Sequence, residues 1–112
     1  MFCEIVAGKF GTQFVYEDDA VVAFDDARPI APVHILVLPK AHHPALGDAA
    51  AEGAGSGLLG RLLEVAARLG GQRGERHGGY RIVINNGPSA GQTVFHLHLH
   101  VLAGRHFAWP PG

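Results

Sequence analysis

Apolar and polar positions change period along this chain, and the changes mark its elements. Residues 2–10 mix apolar and charged positions ahead of Gly11, which predicts a short N-terminal helix. Phe14-Val15-Tyr16 and the run from Ala20 to Phe24 flank an acidic turn, Glu17-Asp18-Asp19, as the two arms of a hairpin do. Prolines and aspartates between Asp25 and Pro32 predict a loop. Val33 to Leu38 is a run rich in β-branched residues and leucine, closed by Pro39, the pattern of a central strand. Residues 49–57 are rich in Ala and Gly and predict no definite conformation. From Gly57 to Leu69 the apolar positions fall three and four apart, an amphipathic helix with Ser56 as its cap and Gly70-Gly71 as its stop. Tyr80 to Ile84 reads as a strand, Asn85 to Gly91 as a loop, and Thr93 to Leu102 as a last long strand. With no repeat and no linker, residues 1–112 predict one α+β domain: a mostly antiparallel sheet of about five strands, one main helix and a short N-terminal helix.

Composition narrows the function classes. Of the 112 residues, 47% are hydrophobic and 17% charged, which is globular composition. The formal net charge is −1 with both signs interspersed, so nothing in it points to nucleic acid. The lone Cys3 excludes an internal disulfide, and a cysteine-based zinc site lacks its further thiols. The first residues carry no basic stretch ahead of an apolar one, and no apolar run reaches the ~18–20 residues of a membrane span, so a cytoplasmic protein is expected. A chain this short buries a limited core, and a partner subunit would help stabilise it.

Three of the eight histidines, His96, His98 and His100, alternate along the last strand. Alternation puts them on one face, roughly 6–7 Å apart, with Phe95, Leu97, Leu99 and Val101 on the other. Imidazoles so placed can act as nucleophile, proton carrier or anion partner, and they can also bind zinc. Three core histidines in phase would each need a buried hydrogen-bond partner. The stretch before them is Asn85-Asn86-Gly87-Pro88-Ser89-Ala90-Gly91-Gln92-Thr93. Gly87 and Gly91 let backbone N–H groups approach an anion, Gln92 and Thr93 add donors, and no carboxylate lies nearby in sequence. Donors beside imidazoles favour phosphate over a cation.

These residues resemble the histidine triad (HIT) proteins, whose signature is His-x-His-x-His followed by apolar residues. Phe24-Asp25-Asp26, Ala31-Pro32-Val33-His34, Leu36-Val37-Leu38-Pro39-Lys40 with His42, and Trp109-Pro110-Pro111-Gly112 also fall in family order. The ending resembles the Hint branch. The resemblance implies a HIT fold and a purine nucleoside phosphoramidase that splits a P–N bond through a covalent nucleotidyl-histidine. In it His98 is the nucleophile, His100 meets the phosphate or leaving group, His96 positions His98 through its carbonyl, and His34 completes the network. Asp26 would accept from the ribose hydroxyls, with Asp25 the weaker candidate, and Asn85 would lie on the phosphate or ribose side. Gly91, Gln92 and Thr93 would bind phosphate; Thr93 stands where many Hint proteins have Ser. Phe24, Ala27, Ile5 and Phe10 would line the base slot. A homodimer is implied, with Trp109 reaching the partner's site. Some bacterial relatives bind zinc through an N-terminal Cys-x-x-Cys pair; with Cys3 alone here, no metal and no cofactor is carried over. Cleavage of dinucleoside polyphosphates, a zinc-bound hydrolase, and nucleotide binding with vestigial catalysis are the competing readings.

Overall fold

A computed structural model describes residues 2–51 and 55–112, apart from the side chain of Ser56. The elements are α1 (Phe2–Val6), β1 (Tyr16–Glu17), β2 (Val21–Asp25), β3 (Val33–Pro39), α2 (Leu46–Ala51), α3 (Gly55–Gly74), β4 (Tyr80–Ile84) and β5 (Leu99–Ala103). Short 3₁₀ turns cover Glu75–His77 and Pro88–Ala90. The strands form one antiparallel sheet in the order β1-β2-β3-β5-β4, which is the α+β fold expected.

The largely apolar run of β3, broken by His34, is explained by its central place, because Ile35 to Pro39 are buried on both faces. One face carries Ile35 and Val37 with Val21, Ala23, Leu97, Leu99 and Val101, packed under Leu62, Val65, Ala66 and Leu69 of α3. The opposite face carries Val22, Phe24, Leu36 and Leu38; Phe2 of α1 completes that smaller cluster, with Ile5, Val6, Phe14 and Val94 packed against it partly buried. The sheet is therefore sealed by a long helix on one side and left partly open on the other.

Several boundaries depart from the sequence pattern; β1 covers Tyr16–Glu17, so Glu17 belongs to the strand and not to the turn. The N-terminal helix stops at Val6, and Gly8 and Gly11 take positive φ in the turn that follows. A short helix, α2, occupies part of the Ala-rich stretch; the rest of it, residues 52–54, lies outside the described residues. The main helix starts at Gly55, so Ser56 falls within its first turn, and the side chain of the expected cap lies outside the described residues.

That helix also runs through Gly70 and Gly71 to Gly74. Gly70 is not a stop: a Cβ there would sit 2.5 Å from the Tyr80 ring, so the missing side chain lets β4 approach the helix. The stop comes later, at Gly78, whose φ of 88° is left-handed.

The last strand is shorter than expected, and this matters for the site. Only Leu99–Ala103 joins the ladder, and residues 93–98 run in an irregular path before it. In the register that pairs Val37 with Leu99, Leu97 would face Pro39, which has no N–H to give. The Leu97 N–H turns instead to the His43 carbonyl at 2.7 Å. Phe95, expected on the buried face, is half exposed where the path bends.

Candidate active site

Despite that bend, His98 and His100 of the triad meet on the open face, while the nitrogens of His96 face Pro39, Cys3 and His42. His98 and His100 meet ring to ring at 5.0 Å, and Phe2 stands edge-on to His98 at 5.1 Å. Next to them is a cleft of about 670 Å³. Its apolar wall includes Phe2, Ile5, Phe24 and Leu36, and its polar side includes Asp26, His34, Thr93, His98 and His100. Ala27 also lines it, as expected of a base slot, whereas Phe10 is 61% exposed and is not among the lining residues.

The hydrogen bonds fix which nitrogen of each ring carries the proton. His98 Nδ1 lies 2.7 Å from the His96 carbonyl, which can only accept, so Nδ1 holds the hydrogen and in the neutral ring Nε2 carries the lone pair. His96 Nε2 lies 2.8 Å from the Pro39 carbonyl and is likewise the donor. For His34 the Ile30 N–H donates to Nδ1 at 3.1 Å, so the ring hydrogen sits on Nε2. That Nε2 is 2.9 Å from His100 Nδ1, which must accept, and His100 is left with its hydrogen on Nε2. The result is complementary: His98 has a free lone pair and His100 a free N–H.

Electrostatics hold this arrangement. Burial pushes His100 down to about 4, helped by the positive ends of His98 and His34 and opposed by Asp26. Burial likewise lowers His34 and His96; the Pro39 carbonyl partly offsets it at His96. Near neutral pH these rings are neutral, as the hydrogen-bond pattern requires.

The loop before the triad is built differently from the sequence reading. Gln92 is buried and its amide is committed within the fold: Nε2 donates to the Pro44 and Val94 carbonyls at 2.7 and 3.0 Å, and Oε1 accepts from Gly87 N–H at 2.8 Å. The expected donor to a phosphate is thus a brace of the loop. Gly91 has a φ of 97° and closes the 3₁₀ turn onto the Pro88 carbonyl. Asn85 lines a neighbouring cavity of about 470 Å³, which shares His100 with the cleft. Trp109 stands on the tail with 82% of its surface exposed, outside both cavities.

A second cluster joins residues the sequence did not connect. Cys3 Sγ lies 3.3 Å from His42 Nδ1 and 3.4 Å from His96 Nδ1, and the two nitrogens are 3.2 Å apart. Around zinc, bonds of ~2.3 Å to sulfur and ~2.0–2.1 Å to nitrogen give tetrahedral ligand separations of roughly 3.3–3.6 Å. The three donors fit that geometry, and the bond from His96 Nε2 to Pro39 fixes its ring as an outer partner would. The sequence placed His42 in family order without a chemical role, because its partners lie 39 and 54 positions away.

An antiparallel sheet closed on one face by a helix, with alternating histidines facing a cleft on the other, defines a histidine triad protein. The HIT domain profile matches residues 8–107, and the chain belongs to that family. Over its whole length it is 50% identical to an uncharacterized HIT-like protein of Synechocystis sp., covering 96% of it. It is 46% identical to a 14 kDa zinc-binding protein of Zea mays and 43% identical to adenylylsulfatase HINT1 of Arabidopsis thaliana, covering 87% and 76% of them. A HIT family hydrolase from Legionella pneumophila superposes with a TM-score of 0.91 at 41% identity, over 100% of this chain and 98% of that one.

Proposed function

We propose that this protein is a nucleotide hydrolase of the Hint branch, a purine nucleoside phosphoramidase that works through a nucleotidyl-histidine. One observation carries the reading. The His96 carbonyl takes the Nδ1 hydrogen of His98, which leaves Nε2 as an unprotonated nucleophile beside a nucleotide-sized cleft.

The base occupies the slot of Phe2, Ile5 and Phe24, and Asp26 accepts from the ribose hydroxyls. The α-phosphate sits at His98 and His100, with the Thr93 hydroxyl beside it. His98 Nε2 attacks phosphorus; a His–P bond forms as the P–N bond breaks. The His96 carbonyl stabilises the positive charge that the ring acquires. His100 donates its Nε2–H to the phosphoryl oxygens as a neutral group. The departing amine takes its proton from solvent water in the open cleft. A second water then attacks phosphorus, the His–P bond breaks to release the nucleoside monophosphate and neutral His98, and the proton that this water loses returns to solvent.

Gln92 supports this site by bracing its loop. Zinc held by Cys3, His42 and His96 would supply structural clamping of α1 to the start of the triad. We further propose a cytoplasmic homodimer joined along the β4 edge and α3, where Tyr80 and Leu63 are exposed, with Trp109 offered to the partner's cleft. Among the described residues no helix is long and apolar enough to cross a membrane.

The test assays AMP phosphoramidates beside diadenosine polyphosphates, using wild type and His98→Ala. Turnover of the phosphoramidate by wild type alone, with one added nucleotidyl group on His98 by mass spectrometry, is the expected outcome. Preference for polyphosphates moves the protein to the dinucleotide reading. Nucleotide binding without turnover moves it to vestigial catalysis.

A further inference from the structure

The hydrogen on His34 Nε2 is a single donor facing two acceptors. His100 Nδ1 lies at 2.9 Å and Asp26 Oδ2 at 3.4 Å. The other imidazole nitrogen is already committed, because Ile30 N–H donates to it, so the ring cannot serve both acceptors by taking a second proton. Asp26 is tethered in the same way. Its Oδ1 accepts from Arg28 N–H at 2.9 Å, and its own N–H donates to the His34 carbonyl at 2.9 Å. Oδ2 is therefore the oxygen left to choose a partner. The choice is made near a buried ring, where a carboxylate gains much from one charge-assisted hydrogen bond.

We propose that Asp26 is a positioning residue that couples ribose recognition to the hydrogen-bonding state of His100. With no ribose bound, Asp26 Oδ2 competes for the His34 hydrogen. When His34 turns to Asp26, His100 Nδ1 loses its donor, and the ring is free to carry its hydrogen on Nδ1. In that tautomer Nε2 presents a lone pair to the phosphate and repels it. Ribose hydroxyls donating to Oδ2 satisfy the carboxylate and return the His34 hydrogen to His100. The His100 Nε2–H then points at the phosphate when a nucleoside occupies the slot. The His34 hydrogen bond changes acceptor, and the His100 hydrogen exchanges through solvent water: the Nε2–H bond breaks as the Nδ1–H bond forms, and the reverse exchange restores it. The inference rests on the nucleotide reading above and adds a rate effect to a group otherwise concerned with affinity.

The experiment separates kcat from KM. Wild type and Asp26→Ala are assayed with an adenosine phosphoramidate and its 2′,3′-dideoxy analogue. In wild type the dideoxy substrate should lose kcat as well as affinity, by roughly fivefold or more, the scale of one misplaced hydrogen bond. In Asp26→Ala, which lacks the competing oxygen, both substrates should share one kcat, and the dideoxy analogue should turn over faster than in wild type. A wild-type kcat indifferent to the ribose hydroxyls, or an Asp26→Ala kcat depressed equally on both substrates, would overturn the proposal. A second readout needs no turnover. Nitrogen-15 shifts of the His100 ring report its tautomer directly. The Nε2–H population should rise when AMP is added to wild type and stay unchanged with dideoxy-AMP. It should already be high in nucleotide-free Asp26→Ala. If wild type neither binds AMP nor cleaves the phosphoramidate, the nucleotide reading fails; the tautomer comparison of the two nucleotide-free proteins still decides the Asp26–His34 competition.

Discussion

The two faces of this sheet are made from alternate residues of the same strands, yet they do opposite work. Toward α3, Leu97, Leu99 and Val101 are at most 1% exposed and contribute through lost water contact alone. One residue over, His96, His98 and His100 are also largely buried, but each ring is held by a directed hydrogen bond. The first face needs volume and shape and tolerates any apolar arrangement that fills it. The second needs particular nitrogens, and its burial is useful because it keeps the rings neutral. The difference is one of cover. A twenty-residue helix closes the first face, while five residues of α1 leave the second open as a cleft.

Neighbouring substitutions test this contrast most severely. His98→Ala should lower phosphoramidase turnover by at least ~10³-fold while leaving the urea midpoint nearly unchanged. Leu99→Ala, one residue on, should cost about 2–5 kcal/mol of stability in the same urea titration. A large stability loss in the first variant would break the comparison, because the cleft face would then be a core like the other.

Gly70→Ala sharpens the account of the sealed face. The added methyl meets the Tyr80 ring and should destabilise by about 1–3 kcal/mol, where an ordinary helical Gly→Ala change would stabilise. A gain in thermal midpoint would show that the glycine is not needed for the approach of β4.

Acid titration addresses the cleft face. His100 has a folded value of about 4, below its ordinary value, so the unfolded chain binds more protons there as pH falls. Its contribution is fully present above about pH 6.5 and is lost progressively toward pH 4. The urea midpoint of wild type should fall across that window, and His100→Asn should flatten part of the fall. An equal slope in both proteins would place the acid sensitivity elsewhere, with His34 and His96 the next groups to replace.

The smallest effect is expected from metal removal. Chelation should lower the thermal midpoint by a few degrees at most and leave turnover in place, and Cys3→Ser should abolish the charge-transfer band of added cobalt. Activity lost to a chelator and restored by zinc would refute a metal-free attack on phosphorus.

Much of this was legible in the linear pattern. The apolar run of β3, the alternation from His96 onward and the spacing in α3 survive into the structure because backbone geometry sets them; ahead of His96 the path bends and Phe95 leaves the expected face. The order Asp26, His34, triad and Trp109 along the chain points to the family by itself. What escaped was decided by contacts distant in sequence. Gly70 resembled a helix stop until Tyr80 was found against it. Gln92 resembled a ligand donor until Pro44 and Val94 took its amide. Cys3, His42 and His96 had no common signal along the chain.

The sequence by itself determined which side of the last strand would carry imidazole and which would carry leucine, because alternation needs no partner to define it. Only the tertiary structure decided what each imidazole can do. A histidine ring is symmetric in its options until a carbonyl or an N–H claims one nitrogen. The claims that needed the fold are the Pro39 carbonyl on His96 and His34 on His100, 57 and 66 positions apart; the His96 carbonyl reaches His98 from two residues away.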